Sequence, residues 1–242
     1  DFSYLPVVSW TPWLNFATWD ARHYSYLVDN GYSRDLASNA FYPLYPFLVW
    51  LVKLIVHNTV LAGYIVSTFC SITMLYFLYN FVSKLYSEKI AFYSGMFLLA
   101  FPTSFFFSIM YSESSFLMVA LGFFYFWQKD KYLPAALMAF LLPLARPLGI
   151  LLIVPILAQA IWKRWEGKSI FNSTWSITAL FCGACLFGFG AYLLSMYLFT
   201  GSVWAGFDAQ RSFVSGFSLS NLFHPIDWLM RNFIDTTLVA HD

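Results

Sequence analysis

Four polar clusters interrupt an otherwise apolar chain: TWDARHY at residues 18–24, YSES at 111–114, ARPLG at 145–149 and GFDAQRS at 206–212. Their residue types point to two kinds of chemistry. A carboxylate such as Asp20 acts as a general base when it lies within hydrogen-bond reach of a hydroxyl. A guanidinium such as Arg146 presents a fork of N–H donors that matches a phosphate. Pro143 and Pro147 bracket Arg146 and are expected to interrupt a helix there. Each residue also has a plain structural role. Asp20 suits the N-cap of an interfacial helix, on which Asp20, Tyr24, Leu27 and Val28 share one face. Glu113 is favoured at a helix start by the backbone dipole. Arg146 suits a lipid-headgroup anchor, and His23 suits packing or hydrogen bonding more than base chemistry. The tryptophans and tyrosines between residues 10 and 32 form an interfacial belt by default; the same residue types line sugar-binding sites.

The elements that must position these groups are apolar. Of 242 residues, 60% are hydrophobic, 22% aromatic and only 10% charged, whereas soluble domains carry roughly a quarter charged residues. The composition therefore places the chain in lipid. A net charge of +1 and the lack of any basic run argue against nucleic acid as a partner. Cys70, Cys182 and Cys185 all lie in apolar stretches. The C-x-x-C formed by Cys182 and Cys185 flanks Gly183 and Ala184 near Gly188, as a small-residue helix-packing seam does. The chain begins with Asp1 and shows no cleavable signal peptide, so it is expected to be a fragment preceded by a further segment.

A spanning helix needs about 20 apolar residues. Residues 59–82, 90–109, 113–128 and 176–199 are expected to span. Residues 132–162 are too long for one crossing and would bury Arg146 at mid-membrane. They divide into helices 132–145 and 147–162, with Arg146 at the hairpin tip. The segment FYPLYPFLVWLVKLIV, residues 41–56, is expected to lie in the membrane interface with Lys53 snorkelling, a short spanning helix being the alternative. The expected architecture is an all-α membrane protein with an external loop over 1–58, a six-span module over 59–199, and a second external loop over 200–242.

Charge orients this arrangement. The connectors at 83–89, 129–131 and 163–175 hold seven Lys/Arg and three acids, a net of +4, and the remainder holds six Lys/Arg and nine acids, a net of −3. By the positive-inside rule the three connectors are cytoplasmic. Asp20, Arg22, His23, Glu113, Arg146, Asp208, Gln210 and Arg211 then all face the opposite compartment. That is the pattern of a site at one membrane face rather than of a path through it.

The ordered set WDxxxY, NGY, AFYPLYP, FPTSFFFSxxYSES, ARPLG and TG with a downstream AQ resembles the PIG-V family. These are the GPI mannosyltransferases and their prokaryotic relatives, within the GT-C superfamily, and the likeness runs from Trp19 to Gln210. It implies a multispanning transferase that moves a sugar, usually mannose, from a polyprenyl- or dolichyl-phosphate donor outside the cytoplasm. It implies that the first external loop carries the functional acid between two interfacial helices, and that further spans precede Asp1 and follow Asp242. Under that likeness Asp20 is the general base, Arg146 holds the donor phosphate with Arg22 as a second contact, and Glu113, Gln210, His23 and Tyr24 meet sugar or acceptor. No nucleotide-binding Gly-rich loop is present, and neither cofactor nor metal is expected. The acceptor is a glycan or lipid-linked hydroxyl. The membrane is the endoplasmic reticulum in a eukaryote and the plasma membrane in a prokaryote. Two other readings are a flippase of lipid-linked sugars, which places polar groups near the midplane, and a non-catalytic subunit of a transferase complex.

Overall fold

The computed structural model describes residues 19–165 and 171–210, and every regular element among them is helical. The order is α1 (Asp20–Asn30), a 3-10 turn (Ala37–Ala40), α2 (Leu44–Val56), α3 (Thr59–Leu85) and α4 (Glu88–Ala100). A second 3-10 turn (Ser104–Phe107) leads to α5 (Glu113–Gln128), α6 (Tyr132–Ala145), a third turn (Pro147–Leu152), α7 (Ile153–Trp165), α8 (Phe171–Thr200) and α9 (Ala205–Ala209).

Local chemistry sets several of these boundaries. Asn58 caps α3 by accepting from the Leu61 N–H at 2.9 Å, and Ser87 caps α4 by accepting from Ile90 at 3.3 Å. The expected span over 90–109 is corrected: α4 stops at Ala100, because Phe101 precedes Pro102 and adopts extended backbone (φ −65°, ψ 137°). The break near Arg146 also differs in detail. Pro143 sits inside α6 without ending it, and the helix stops at Ala145 because Arg146, ahead of Pro147, is extended at φ −156°, ψ 153°. Gly149 lets the following turn fold back on α6, since a Cβ there would come 2.3 Å from the Leu142 carbonyl oxygen.

The main packing seams run α3 against α5, α5 against α6, and α6 against α8. Val119, Phe123, Ala139, Phe181 and Cys185 are buried in one core. At Gly188 a Cβ would lie 2.0 Å from the Phe140 carbonyl, so only glycine admits α6 this close to α8. The free thiol of Cys185 is buried against the Gly149 carbonyl at 3.6 Å, in keeping with a packing role.

Among the described residues two stretches are long and apolar enough to cross a membrane: Thr59–Leu85, and Trp175–Thr200 within α8. With 13 residues, α2 reaches about 20 Å, short of the ~30 Å hydrocarbon core. It buries Tyr45 and Val49 and exposes Phe47, Trp50, Leu51, Leu54 and Ile55, so its outer face is apolar. Lys53 lies in the last turn of α2 and is partly exposed. Its Nζ donates to Asp29 Oδ1 at 2.7 Å, and the Thr59 hydroxyl donates to the same oxygen at 2.5 Å, tying the end of α1 to α2 and α3.

Candidate functional site

Helices α5 and α6 follow one another through a short connector and pack together. The first residue of α5 and the residue after α6 therefore meet at one end of the pair. There the Arg146 Nη2 ion-pairs with Glu113 Oε1. The Nε and Nη2 of Arg146 also donate to Ser112 Oγ at 3.2 and 3.0 Å. The guanidinium carbon lies 6.0 Å from the centroid of the Phe116 ring, one turn along α5. Glu113 Oε2 is buried and has no hydrogen-bond partner among the described residues. Ser112 occupies the N-cap position of α5 at φ −83°, ψ −5°, yet its side chain makes no capping bond.

Helix α1 completes the cluster. Ala21, Tyr24, Leu27 and Val28 are buried on its inner face, and Asp20 is half-buried at its start. The Tyr24 hydroxyl lies beside Ser112 and in the field of Arg146, Glu113 and Asp20. The Tyr111 hydroxyl lies against the backbone of Asp20. Burial, with smaller contributions from Asp20 and Glu113, pushes the Tyr111 phenol up to about 12. Asp20 does not cap the helix: Trp19 holds the N-cap position in left-handed backbone (φ 48°) with no side-chain cap bond. Asp20 instead has its pKa raised above the ordinary carboxylate value, first by burial and then by the negative charge of Glu113, with Arg146 opposing. A carboxylate that holds its proton more tightly is a better base once ionised.

No family model, curated protein or solved structure matches the chain. The site stands on its own geometry.

That geometry unites Asp20, Tyr24, Glu113 and Arg146 and separates the other candidates from them. His23 Nδ1 lies 2.9 Å from Ser38 Oγ, and its ring stacks on Phe41 with centroids 4.7 Å apart. Burial lowers its pKa, so the imidazole is neutral at pH 7 and ties α1 to the 37–40 turn. Arg22 is exposed, and among the described residues no hydrogen bond or ion pair joins it to Glu113 or Asp20. Gln210 follows α9, which packs on the 37–40 turn and on α8; no hydrogen bond joins it to the charged cluster. Arg211 and the loop beyond it lie outside the described residues. Among the described residues no group of three or more His, Cys, Asp or Glu is placed to hold a metal ion. Ser112 and Tyr111 were missed in the sequence, although both stand in the YSES motif. A serine ahead of a helical glutamate reads as an ordinary cap, and nothing local shows its hydroxyl turned elsewhere.

Proposed function

We propose that the chain belongs to a multispanning membrane glycosyltransferase, of the mannosyltransferase type that its motifs resemble. It would transfer a sugar from a polyprenyl- or dolichyl-phosphate donor to an acceptor hydroxyl at the non-cytoplasmic face, with inversion. The observation that carries this reading is the Glu113–Arg146 pair at one end of the bundle, with the half-buried Asp20 of α1 in its electrostatic field. A base with a raised pKa beside a guanidinium suits a reaction in which a hydroxyl must lose a proton while a phosphate departs.

Asp20 takes the acceptor proton as the hydroxyl oxygen attacks the anomeric carbon from the face opposite the phosphate. The bond between that carbon and the phosphate oxygen breaks, and the lipid phosphate leaves with the electron pair. Arg146 balances the negative charge that develops on it. Glu113 holds the guanidinium. Six crossings would put this cluster and the Lys129–Lys131 connector on opposite faces; α4 and α7, each only 13 residues like α2, would cross together with the 3-10 turns that adjoin them at 104–107 and 147–152. The test is transfer by the full-length protein in detergent or vesicles, with polyprenyl-phosphate sugars as donors. Wild type should transfer sugar and Asp20→Asn should not. Equal turnover by the two proteins would remove Asp20 from the reaction.

A further inference from the structure

Arg146 has five N–H donors. Its Nε and one Nη2 hydrogen go to Ser112 Oγ, and the other Nη2 hydrogen goes to Glu113. The protein thus consumes the whole Nε/Nη2 edge, and the two hydrogens that remain are both on Nη1. Ser112 is equally committed. Its oxygen has two lone pairs and one proton, and Arg146 occupies the lone pairs. The remaining proton has the Tyr24 hydroxyl as a neighbour on α1. Ser112 is 2% exposed and Tyr24 4%, so water does not compete freely for either group. The serine makes no side-chain cap on α5, although it stands at the N-cap position. A local preference given up where three helices converge marks a residue held for another purpose.

We propose that Ser112 is the positioning residue of this site: it locks the Nε/Nη2 edge of Arg146, presents Nη1 to the phosphate of the lipid donor, and couples Arg146 through Tyr24 to the helix that carries Asp20. The proposal rests on the transferase reading for its ligand, but the lock itself does not. A donor phosphate on this site is met end-on by Nη1 rather than by the side-on fork. Replacing the hydroxyl frees the guanidinium to turn, which weakens donor binding before it affects the attack on the sugar.

The experiment uses the full-length protein with Ser112→Ala, Ser112→Cys and Ser112→Thr. The cysteine variant retains a side chain of similar reach with a weak acceptor, and threonine retains the hydroxyl. Two readouts are taken: donor KM and kcat, and the hydrogen-exchange rate of the Arg146 Nε–H in a ¹⁵N spectrum, assigned by its loss in Arg146→Lys. Loss of a hydrogen bond to a charged group predicts a donor KM raised about tenfold or more in Ser112→Ala and Ser112→Cys. The Nε–H should exchange faster in both, kcat should change less than KM, and Ser112→Thr should restore both readouts. Unchanged Nε–H exchange in the alanine or cysteine variant overturns the lock. A fall in thermal stability with unchanged exchange and KM does so too, since it assigns Ser112 to packing alone. The exchange measurement needs no turnover. Faster exchange in the alanine and cysteine variants, with a wild type that transfers no sugar, would therefore sink the transferase reading and leave the lock standing.

Discussion

The two ends of the α5–α6 pair carry the same kinds of residue and use them differently. At the connector end, Lys129, Asp130 and Lys131 are exposed. Their contacts are mostly local: Lys129 Nζ donates to the Tyr125 hydroxyl at 2.8 Å, and the Tyr132 hydroxyl donates to Asp130 at 3.0 Å. Asp130 takes positive φ (54°), as a tight turn requires. At the other end Glu113 and Arg146 are partly enclosed and meet across the helix boundary, and α1 adds a second acid from far earlier in the chain. Exposed pairs are screened by water and contribute little. Two carboxylates beside one guanidinium in a half-buried site leave one acid unbalanced, and that imbalance falls on Asp20. Charge at a helix end becomes chemistry only when burial and a distant partner act on it together.

The largest test of this contrast is Asp20→Asn. Loss of a general base is expected to reduce transfer at least about a hundredfold. The measurement is initial rate with saturating acceptor, and a rate near wild type would make the two ends equivalent. Next comes Arg146. Lysine offers donors from a single nitrogen and cannot hold Ser112 and Glu113 on one edge while facing a phosphate with another. Arg146→Lys should therefore lose about ten- to a hundredfold in kcat/KM for the donor. Arg146→Ala should lose more, with the protein still inserted in the membrane.

A smaller effect concerns pH. Asp20 must be ionised to act, so kcat/KM should fall as pH drops through its raised pKa, above the ordinary value of 3.8. Stability moves the other way. The folded state binds this proton more tightly than the unfolded chain, so its stabilising contribution is complete below 3.8 and is lost as pH rises through the folded value. Asp20→Asn should accordingly raise the thermal midpoint at neutral pH and flatten its dependence between acid and neutral conditions. A lower midpoint in the variant would mean that the carboxylate is net stabilising. The smallest effect belongs to the connector end: Lys129→Ala should leave transfer unchanged, because an exposed lysine paired to a tyrosine on its own helix holds nothing at the site.

Much of the scaffold was legible in the residues alone. Apolar runs made the chain helical, and Pro147 placed the break at Arg146, because the residue before a proline is driven to extended backbone. The i, i+4 spacing put Tyr24, Leu27 and Val28 on one buried face of α1. The stop at Phe101 was equally legible from Pro102, but the length of the apolar run around it masked the signal. What no local pattern carried was the choice of partner. Lys53 pairs with Asp29 on α1. Ser112 gave its hydroxyl to Arg146 rather than to its own helix. Asp20 left the cap position to Trp19 and came under the charges of Glu113 and Arg146. Periodicity and turn chemistry act over a few residues and set where helices begin, end and face. A hydrogen bond or ion pair between residues dozens of positions apart depends on ångström-scale separations. Those follow only from how the helices pack, here from close approaches such as Gly188 on Phe140 and Gly149 on Leu142.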